Sequence, residues 1–269
     1  MATTDKFDAF RRLHDGPGAF VIANVWDAGS ARQMAGLGFK ALATSSGAAA
    51  GTLGRADGRM SRAEAIAHAK AIVAATDLPV SADLENGFGD EPEAAATTIR
   101  EAGAIGLAGA SIEDYSGKAI YPIEQAVKRI EAAVAARAAL GRPFLLTARS
   151  ENFLRGVTDL DDTIRRLQAY EAAGADVLMA PVLPDLAAVE KVCKSLNKPF
   201  NFMAAVPGKS WPVAELEAKG VRRISVATSL YRAAMTGLLA AAREIQEHGT
   251  FGYLNTIVPT PELNKHYVS

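Results

Sequence analysis

The sequence predicts a single (β/α)₈ barrel, and three observations carry that prediction. First, short apolar runs alternate with longer amphipathic segments along the chain. Second, eight such strand–helix units fit into 269 residues, which is the usual length of this barrel. Third, the apolar runs are nearly continuous, as expected for parallel strands that are buried on both faces. An open doubly wound sheet is the alternative architecture for the same alternation.

The predicted strands are short and regularly spaced. They cover residues 19–26, 40–46, 79–85, 106–114, 144–151, 176–182, 199–205 and 222–228. The clearest helical patterns cover residues 61–76, 122–140, 160–173 and 230–247. Ser61 and Glu64 have the spacing of a capping box at the start of one helix. Glycines in four turns are predicted to end the preceding helix in the left-handed conformation: 36–39, 101–104, 172–175 and 218–221.

The chain divides into one barrel domain and a short tail. Residues 1–249 contain all eight predicted units, and no stretch rich in Pro, Gly or Ser marks a second domain. Residues 250–269 follow the eighth helix and contain Pro259 and Pro261. This tail is expected to form either a surface strap or an arm that packs on a neighbouring subunit.

Composition excludes several classes of protein. The chain is 49% hydrophobic and 22% charged, which is enough apolar material for a large core. A net charge of -1 gives no electrostatic reason for a nucleic-acid or membrane partner. Cys193 is the single cysteine, so an internal disulfide and a cysteine-rich zinc site are excluded, and its predicted role is packing. With no apolar leader or 18-residue apolar run, a cytoplasmic location is expected.

Polar residues gather where four predicted strands end, which is where barrel enzymes carry their active sites. Asp83, Glu113 and Asp57 follow strands three, four and two, and their carboxylates suit Mg²⁺ or Mn²⁺. Arg149 ends strand five, where its guanidinium would hold a substrate carboxylate. Each piece also has a structural explanation, such as an Asx-turn for Asp57 or a structural ion pair for Arg149.

The turn after strand two supplies a different kind of group. Ser45, Ser46 and Gly47 offer backbone N–H groups and hydroxyls to an anion. A metal, an arginine and a set of amides together suit a small 2-oxo or 2-hydroxy acid. A metal in such a site stabilises the enolate that forms when the adjacent C–C or C–P bond breaks.

At these residues the sequence resembles the isocitrate lyase / phosphoenolpyruvate mutase superfamily. The likeness extends from Asn24 to about Arg243. It rests on a small-residue turn followed by a Leu-Gly-x-x-Asp run, on an Asp-Ala-Asp-x-Gly-Tyr-Gly motif, on a Glu-Asp strand end and on a strand-five arginine. These motifs are matched by 44–47 with 53–57, by 81–83 with 87–89, by 113–114 and by 147–149.

The resemblance implies a fold, a cofactor and an assembly. It implies a phosphoenolpyruvate/pyruvate-binding barrel with Mg²⁺ held by Asp83, Glu113 and Asp57, largely through waters. It also implies that Ser45, Ser46, Gly47 and Arg149 contact an α-oxocarboxylate. Members are commonly tetramers whose eighth helices swap between subunits, so a homo-oligomer, dimer or tetramer, is expected here.

Two departures from the family pattern limit what transfers. Ser81 stands for the first aspartate of the metal motif, and Leu84-Glu85 are two extra residues in one alignment. Glu85 replaces the missing charge only if that strand end bulges. The loop after strand four lacks the lyases' catalytic cysteine, which leaves Tyr115, Lys118 and Tyr121 as candidate acids. Tyr121 is equally expected to anchor the following helix.

The sequence therefore predicts a carbon–carbon lyase that cleaves or decarboxylates an oxaloacetate-like acid. Phosphonopyruvate-type C–P chemistry and a non-catalytic 2-oxo-acid binding protein stay open as alternatives. A Schiff-base aldolase is disfavoured because strand six carries no lysine. A phosphosugar barrel is disfavoured because 207–210 lack the glycine pattern of a P-loop. The four histidines are scattered, and His68 is predicted to be a surface residue.

Overall fold

A computed structural model of the chain describes residues 5–267. Within them, eight parallel strands form a closed barrel in chain order, and the last strand pairs with the first. The strands are β1 (Phe20–Val25), β2 (Leu42–Thr44), β3 (Val80–Asp83), β4 (Gly109–Glu113), β5 (Leu145–Arg149), β6 (Val177–Met179), β7 (Phe200–Met203) and β8 (Arg223–Ser225). The (β/α)₈ barrel is thereby confirmed, and the open doubly wound sheet is excluded.

Helices alternate with these strands around the outside of the barrel. They are α1 (Lys6–Asp15), α2 (Ala28–Gly36), α3 (Ser46–Thr52), α4 (Arg62–Ala74), α5 (Pro92–Ala104), α6 (Ile123–Ala138), α7 (Leu160–Ala172), α8 (Leu186–Lys194), α9 (Val213–Ala218), α10 (Ser229–His248) and α11 (Thr260–Asn264). Two 3₁₀ turns cover Phe153–Arg155 and Gly252–Asn255. Helix α1 lies under the strand starts, where Phe10 packs against Ala41, Ala108 and Leu145.

The eight predicted strands and the four clearest helices agree with the structure, whereas α1, α3 and α11 were not predicted. Each strand is shorter than its predicted run by two to four residues. Helix α4 begins one residue after Ser61, and Ser61 and Glu64 form the expected capping box. Cys193 lies on α8 with its Cβ against Gly220, which confirms a packing role.

One of the four predicted glycine caps is wrong. Gly38, Gly174 and Gly220 take the left-handed conformation after their helices, as predicted. Gly103 instead lies inside α5, where a Cβ would meet the side chain of Leu140. Gly106 takes the left-handed position three residues later. The close approach of Leu140, which follows the end of α6, and not a turn, therefore favours glycine at 103.

The C-terminal segment differs from the rest of the barrel. Helix α10 runs for 20 residues without a buried side chain, and Leu238 and Leu239 are largely exposed. The tail then folds back over α2, where Gln33 Nε2 donates to the Leu263 carbonyl at 2.8 Å. Residues 260–267 thus form a strap on their own chain, which was one of the two expectations. Residues 268–269 lie outside the described part.

Candidate active site

A cavity of about 260 Å³ opens at the carboxyl ends of the strands. Its wall combines small and polar side chains from β1, β2, β3, β4, β5, β7 and β8. Of the residues predicted to form the site, five line this cavity: Ser45, Ser46, Asp57, Asp83 and Arg149. The barrel rule and the polar strand ends therefore locate the same region of the molecule.

The segment after β2 is a helix start rather than the expected turn. Ser45 is the N-cap of the seven-residue helix α3, and its hydroxyl accepts from the Ala48 N–H at 3.4 Å. The Ser46 N–H points to Asp83 Oδ2 at 3.3 Å. A Cβ on Gly47 would meet the Asp57 carboxylate at 3.2 Å, so glycine lets this helix lie against Asp57.

Asp83 is held at the end of β3 by two neighbouring strands. Its N–H donates to the Thr44 hydroxyl of β2 at 3.0 Å. The Ser111 hydroxyl of β4 donates to Asp83 Oδ1 at 3.4 Å. These contacts aim the carboxylate toward the cavity between β2 and β4.

Glu85 lies beside Asp83 in a strained backbone conformation. Its φ of 49° is in the left-handed region, and its carbonyl accepts the Glu113 N–H at 2.9 Å. Burial, together with the nearby charges of Asp83 and Asp57, raises the pKa of Glu85 to about 7. Several carboxylates therefore face one another here without enough positive charge to balance them.

The register of β3 gives the metal motif a simpler alignment than the sequence suggested. Ser81 pairs with Gly109 inside the barrel, two residues before the strand end, and lines the cavity. Asp83 and Glu85 are separated by one residue and are followed by Asn86 and Gly87. This spacing matches Asp-Ala-Asp-x-Gly with no inserted residue, with Glu85 as the second acid.

This donor set suits a hard divalent cation. Mg²⁺ takes oxygen ligands, keeps several waters and needs only one or two carboxylates from the protein. The mutual repulsion of Asp57, Asp83 and Glu85 is what such a cation would relieve. Within the described part of the chain, no group of three His, Cys, Asp or Glu side chains is arranged to hold a metal by itself. The fit to a cation therefore rests on the kind of oxygen ligand that these carboxylates offer.

Arg149 stands at the centre of the charged groups. Its Nη1 lies 3.6 Å from Asp83 Oδ1 and 3.6 Å from Glu113 Oε2. Its Nε donates to Glu151, whose side chain is fully buried. Burial alone would lower the pKa of Arg149, but these carboxylates raise it above its ordinary value. Arg149 is thus a fixed cation that faces the cavity and is oriented from behind by Glu151.

Glu113 and Asp114 end β4 in different surroundings. Burial raises the pKa of Glu113 well above its ordinary range, although the charge of Arg149 opposes this. Asp114 accepts from the Tyr170 hydroxyl at 2.6 Å and from the Glu151 N–H at 2.8 Å. Asp114 therefore joins β4 to the loop after β5, while Glu113 belongs to the charged cluster around Arg149.

The loop after β4 keeps its candidate acids away from the cavity wall. Lys118 is exposed. The Arg155 guanidinium lies over the ring of Tyr115, 3.8 Å from the ring centre. The Tyr121 hydroxyl donates to Asp90 at 2.6 Å and accepts from Asn86 at 2.9 Å. Tyr121 thus anchors the loop after β3 through its hydroxyl, whereas the sequence had suggested an anchor for the following helix. The catalytic roles of these side chains stay predictions.

Sequence reasoning did not single out several residues of the cavity wall. Asn24 of β1, Asn201 of β7 and both Arg223 and Ser225 of β8 line it from the inside of the barrel. In the sequence, each of them is a polar residue within an otherwise apolar strand. Such a residue predicts a cavity wall only if its side chain is known to point into the barrel.

Two histidines lie outside the cavity, and one of them, His68, differs from expectation. His68 is not a free surface residue, since its Nε2 lies 2.8 Å from the Trp26 carbonyl and links α4 to the end of β1. His14 is buried below the barrel, between the rings of Phe10 and Phe20. Neither lies at the carboxyl end of a strand.

Comparison with known proteins gives the family. The family model described as phosphoenolpyruvate phosphomutase matches residues 10–246. The chain belongs to this family. A 2,3-dimethylmalate lyase from Eubacterium barkeri is 32% identical over 264 residues, which cover 91% of this chain and 88% of the relative. An oxaloacetate decarboxylase from Ectopseudomonas mendocina is 30% identical, with 88% and 83% covered.

A solved structure extends the likeness to the whole fold. A protein from Burkholderia cenocepacia J2315 is 47% identical with a TM-score of 0.95, and 98% of this chain and 96% of that one are covered. The isocitrate lyase / phosphoenolpyruvate mutase superfamily is thereby confirmed. Its members are carbon–carbon lyases and mutases that act on small carboxylic acids, which confirms the expectation of an enzyme. No helix among residues 5–267 is both long and apolar enough to cross a bilayer.

Proposed function

We propose that this protein is a Mg²⁺-dependent lyase that acts on a small 2-oxo or 2-hydroxy carboxylic acid through an enolate. The reaction is C–C cleavage or decarboxylation of an oxaloacetate-like acid. The observation that carries the proposal is that the carboxylates of Asp57 and Asp83 and the fixed cation Arg149 line one cavity, with the Glu85 carboxylate close to both aspartates. The relatives named as a dimethylmalate lyase and an oxaloacetate decarboxylase support the same class of substrate.

Each side chain has a task that follows from its position. Asp83 and Glu85 would hold the cation, with Asp57 and Glu113 reaching it through water. When bound, Mg²⁺, or Mn²⁺ in its place, supplies a Lewis acid that stabilises negative charge on oxygen. Arg149 binds the substrate carboxylate, and the backbone of Ser45–Gly47 lies against the same ligand. Glu151 fixes the guanidinium orientation, so little reorganisation is needed on binding.

The proton for the enolate comes from the loop after β4. Tyr115 and Lys118 are its candidate donors, since the Tyr121 hydroxyl is engaged with Asp90 and Asn86. This loop contributes no cysteine, so the proposed donor is Tyr115 or Lys118, with a water as the alternative.

The first experiment follows turnover directly. The purified protein is incubated with Mg²⁺ and a panel of 2-oxo and 2-hydroxy diacids, and pyruvate, glyoxylate and CO₂ are followed by NMR. We expect metal-dependent turnover of one acid. Asp83→Asn should reduce this turnover by about 100-fold or more, because losing a group that stabilises charge in the transition state typically costs that much in rate. Asp77→Asn, an exposed change before β3, is the matched control.

Other outcomes would identify the alternatives. Turnover of a phosphonate would show C–P chemistry instead. Mg²⁺-dependent binding of a 2-oxo acid without product would indicate a binding protein. If no acid of the panel is turned over and none binds, the 2-oxo-acid site is refuted.

We also propose that the protein is a homo-oligomer, a dimer or tetramer, in which α10 packs on a neighbouring subunit. The support is the exposed apolar side of the C-terminal segment. Leu238 is 59% exposed and Phe251 is 57% exposed, and further large apolar side chains accompany them: Leu239, Ile245 and Leu254. Apolar surface of this extent is typical of a protein–protein interface. Nothing in the charge distribution suggests a nucleic-acid or membrane partner.

A further inference from the structure

Arg223 places a guanidinium inside the barrel. It is the first residue of β8, it is 5% exposed, and it lines the lower part of the cavity. Its Nε donates to Asn201 Oδ1 at 2.8 Å, and its Nη2 donates to the Thr147 hydroxyl at 2.8 Å. Both partners are neutral. A guanidinium has five N–H groups, so these bonds leave donors available.

The neighbouring histidine does not supply a negative charge. His14 Nε2 lies 3.5 Å from Arg223 Nη1, and His14 Nδ1 is 2.9 Å from the Phe10 carbonyl. Nδ1 therefore carries the hydrogen and Nε2 faces the arginine as an acceptor. Burial, and next the charge of Arg223, lowers the pKa of His14 to about 3. His14 is neutral at physiological pH.

The charge of Arg223 has no anionic partner. Among residues 5–267, no carboxylate lies within ion-pair distance of this guanidinium, and burial lowers the pKa of Arg223 to about 9. A buried charge is costly unless it is paired. Proteins keep such unpaired charges at functional sites more often than in structural cores.

The space above Arg223 is open to a ligand. Barrel interiors of this fold are normally filled by bulky branched side chains. Here small side chains, Ala43, Ser81 and Ser225, line the interior layers, and one continuous cavity connects Arg223 with Arg149 and Asp83. Thr147, which bonds Arg223, lies two residues before Arg149 on β5, a rise of about 7 Å along the strand.

We propose that Arg223 binds a second carboxylate of the substrate at the floor of the cavity, so that the site selects dicarboxylic over monocarboxylic acids. This inference rests on the proposed function, in which Arg149 and the cation hold the 2-oxo-acid end. The selectivity arises because a ligand without the second carboxylate leaves the buried guanidinium unpaired. The alternative is that an inorganic anion, and not a substrate carboxylate, binds to the Arg223 guanidinium.

The test uses Arg223→Met, with Arg222→Met as the matched control. Methionine fills similar volume without charge, and replacing a buried charge by an apolar residue often leaves a fold intact. Arg222 is the preceding residue and donates to the Gly18 carbonyl, outside the cavity. Binding of oxalate, malonate, succinate and pyruvate is measured by calorimetry with Mg²⁺ present. Circular dichroism checks folding, and Arg223→Gln is the second variant.

We expect one dicarboxylate to bind about tenfold or more weakly to Arg223→Met, while pyruvate affinity stays unchanged. Arg222→Met should bind both like the wild type. Equal affinity of the wild type and Arg223→Met for every dicarboxylate would overturn the inference while leaving the proposed function intact, as shown by pyruvate binding.

Wild-type crystals soaked in sodium bromide give a readout that needs neither substrate nor variant. We expect anomalous density beside Arg223 that malonate displaces. Bromide that malonate does not displace would assign the site to an inorganic anion and overturn the substrate role. If no acid binds at all, the proposed function fails by itself. An unoccupied guanidinium in the bromide crystals would then overturn the anion site as well.

Discussion

At the scale of single residues, the site holds groups that cost stability. Glu85 combines a left-handed backbone with a buried carboxylate beside Asp83 and Asp57. Strain and like charge of this kind persist at functional sites because the surrounding structure holds them in place. The cost is a property of the metal-free protein, since a bound cation would offset the repulsion.

Glu85→Gln should therefore stabilise the metal-free protein. The folded pKa of Glu85 is raised from 4.5 to about 7, so the folded state holds this proton more tightly than the unfolded state. The favourable contribution is complete below pH 4.5 and is lost as pH rises through 7. At pH 8 we expect the variant to exceed the wild type by about 1–3 kcal/mol in urea unfolding with EDTA.

The difference in unfolding free energy between Glu85→Gln and the wild type should fall as the pH is lowered. It should approach zero at pH 4.5, where the folded protein carries a neutral side chain at position 85 in both. Glu131→Gln, an exposed change on α6, is the control and should show neither effect. A variant less stable than the wild type at pH 8 would contradict the prediction.

His14 should make the protein sensitive to acid. Its folded pKa is lowered from 6.5 to about 3, mainly by burial and next by Arg223, so the unfolded state binds the proton more tightly. The stabilising contribution is complete above pH 6.5 and is lost as pH falls toward 3. Between pH 7 and 4.5 we expect the wild type to lose about 2–3 kcal/mol through this residue.

Urea unfolding at the two pH values measures this loss. His14→Gln should remove most of it, because glutamine does not titrate, even if the variant is less stable at pH 7. His248→Gln, on the exposed end of α10, should leave the pH dependence unchanged. An equal slope in His14→Gln and the wild type would contradict the prediction.

At the scale of elements, one arginine fixes the loop that carries the metal motif. Arg129 of α6 is 1% exposed and donates to the carbonyls of Asn86, Gly89, Asp90 and Glu91. Its guanidinium lies 4.6 Å from the centre of the Tyr121 ring. The loop between β3 and α5 has few other partners for these carbonyls, so α6 determines its shape.

Arg129→Met should therefore weaken both the fold and the site. We expect a loss of about 2–4 kcal/mol in unfolding free energy, since several buried carbonyls lose charged donors. Hydrogen exchange should increase across residues 86–91 and Mg²⁺ affinity should fall. Lys128→Met, the exposed neighbour on α6, is the control. Unchanged exchange in this loop would show that another contact orders it.

The sequence predicts an element when the residues of that element alone determine it, and fails when contacts with distant residues do. All eight strands were predictable because each buries a nearly continuous apolar run. Helix α3 was not, since Gly47 and Gly51 are poor helix formers and the helix exists through its contacts with Asp57 and Tyr231. Arg223 was missed for a related reason: a charged residue at a strand start is usually exposed, and only barrel closure turns this one inward.

At the scale of the whole molecule, the barrel is complete but its last helix is not covered. The strands close on themselves and leave no edge to pair, so β-sheet extension cannot drive assembly. Helix α10 contacts the barrel mainly at its start, where Tyr231 packs edge-on against Trp26. Its later turns expose apolar side chains whose burial is worth about 1.5–3 kcal/mol each when complete.

The double change Leu238→Glu with Leu239→Glu should therefore dissociate the assembly without unfolding the barrel. Light scattering should give the wild type a mass that is a multiple of 28.2 kDa and the variant a mass of one chain. Leu37→Glu, at the exposed C-cap of α2, is the control and should keep the wild-type mass. Arg232, in the first turn of α10, lines the cavity, so loss of assembly should also raise KM. A wild-type protein of 28.2 kDa in solution would refute the oligomer and leave the exposed face of α10 to a different partner.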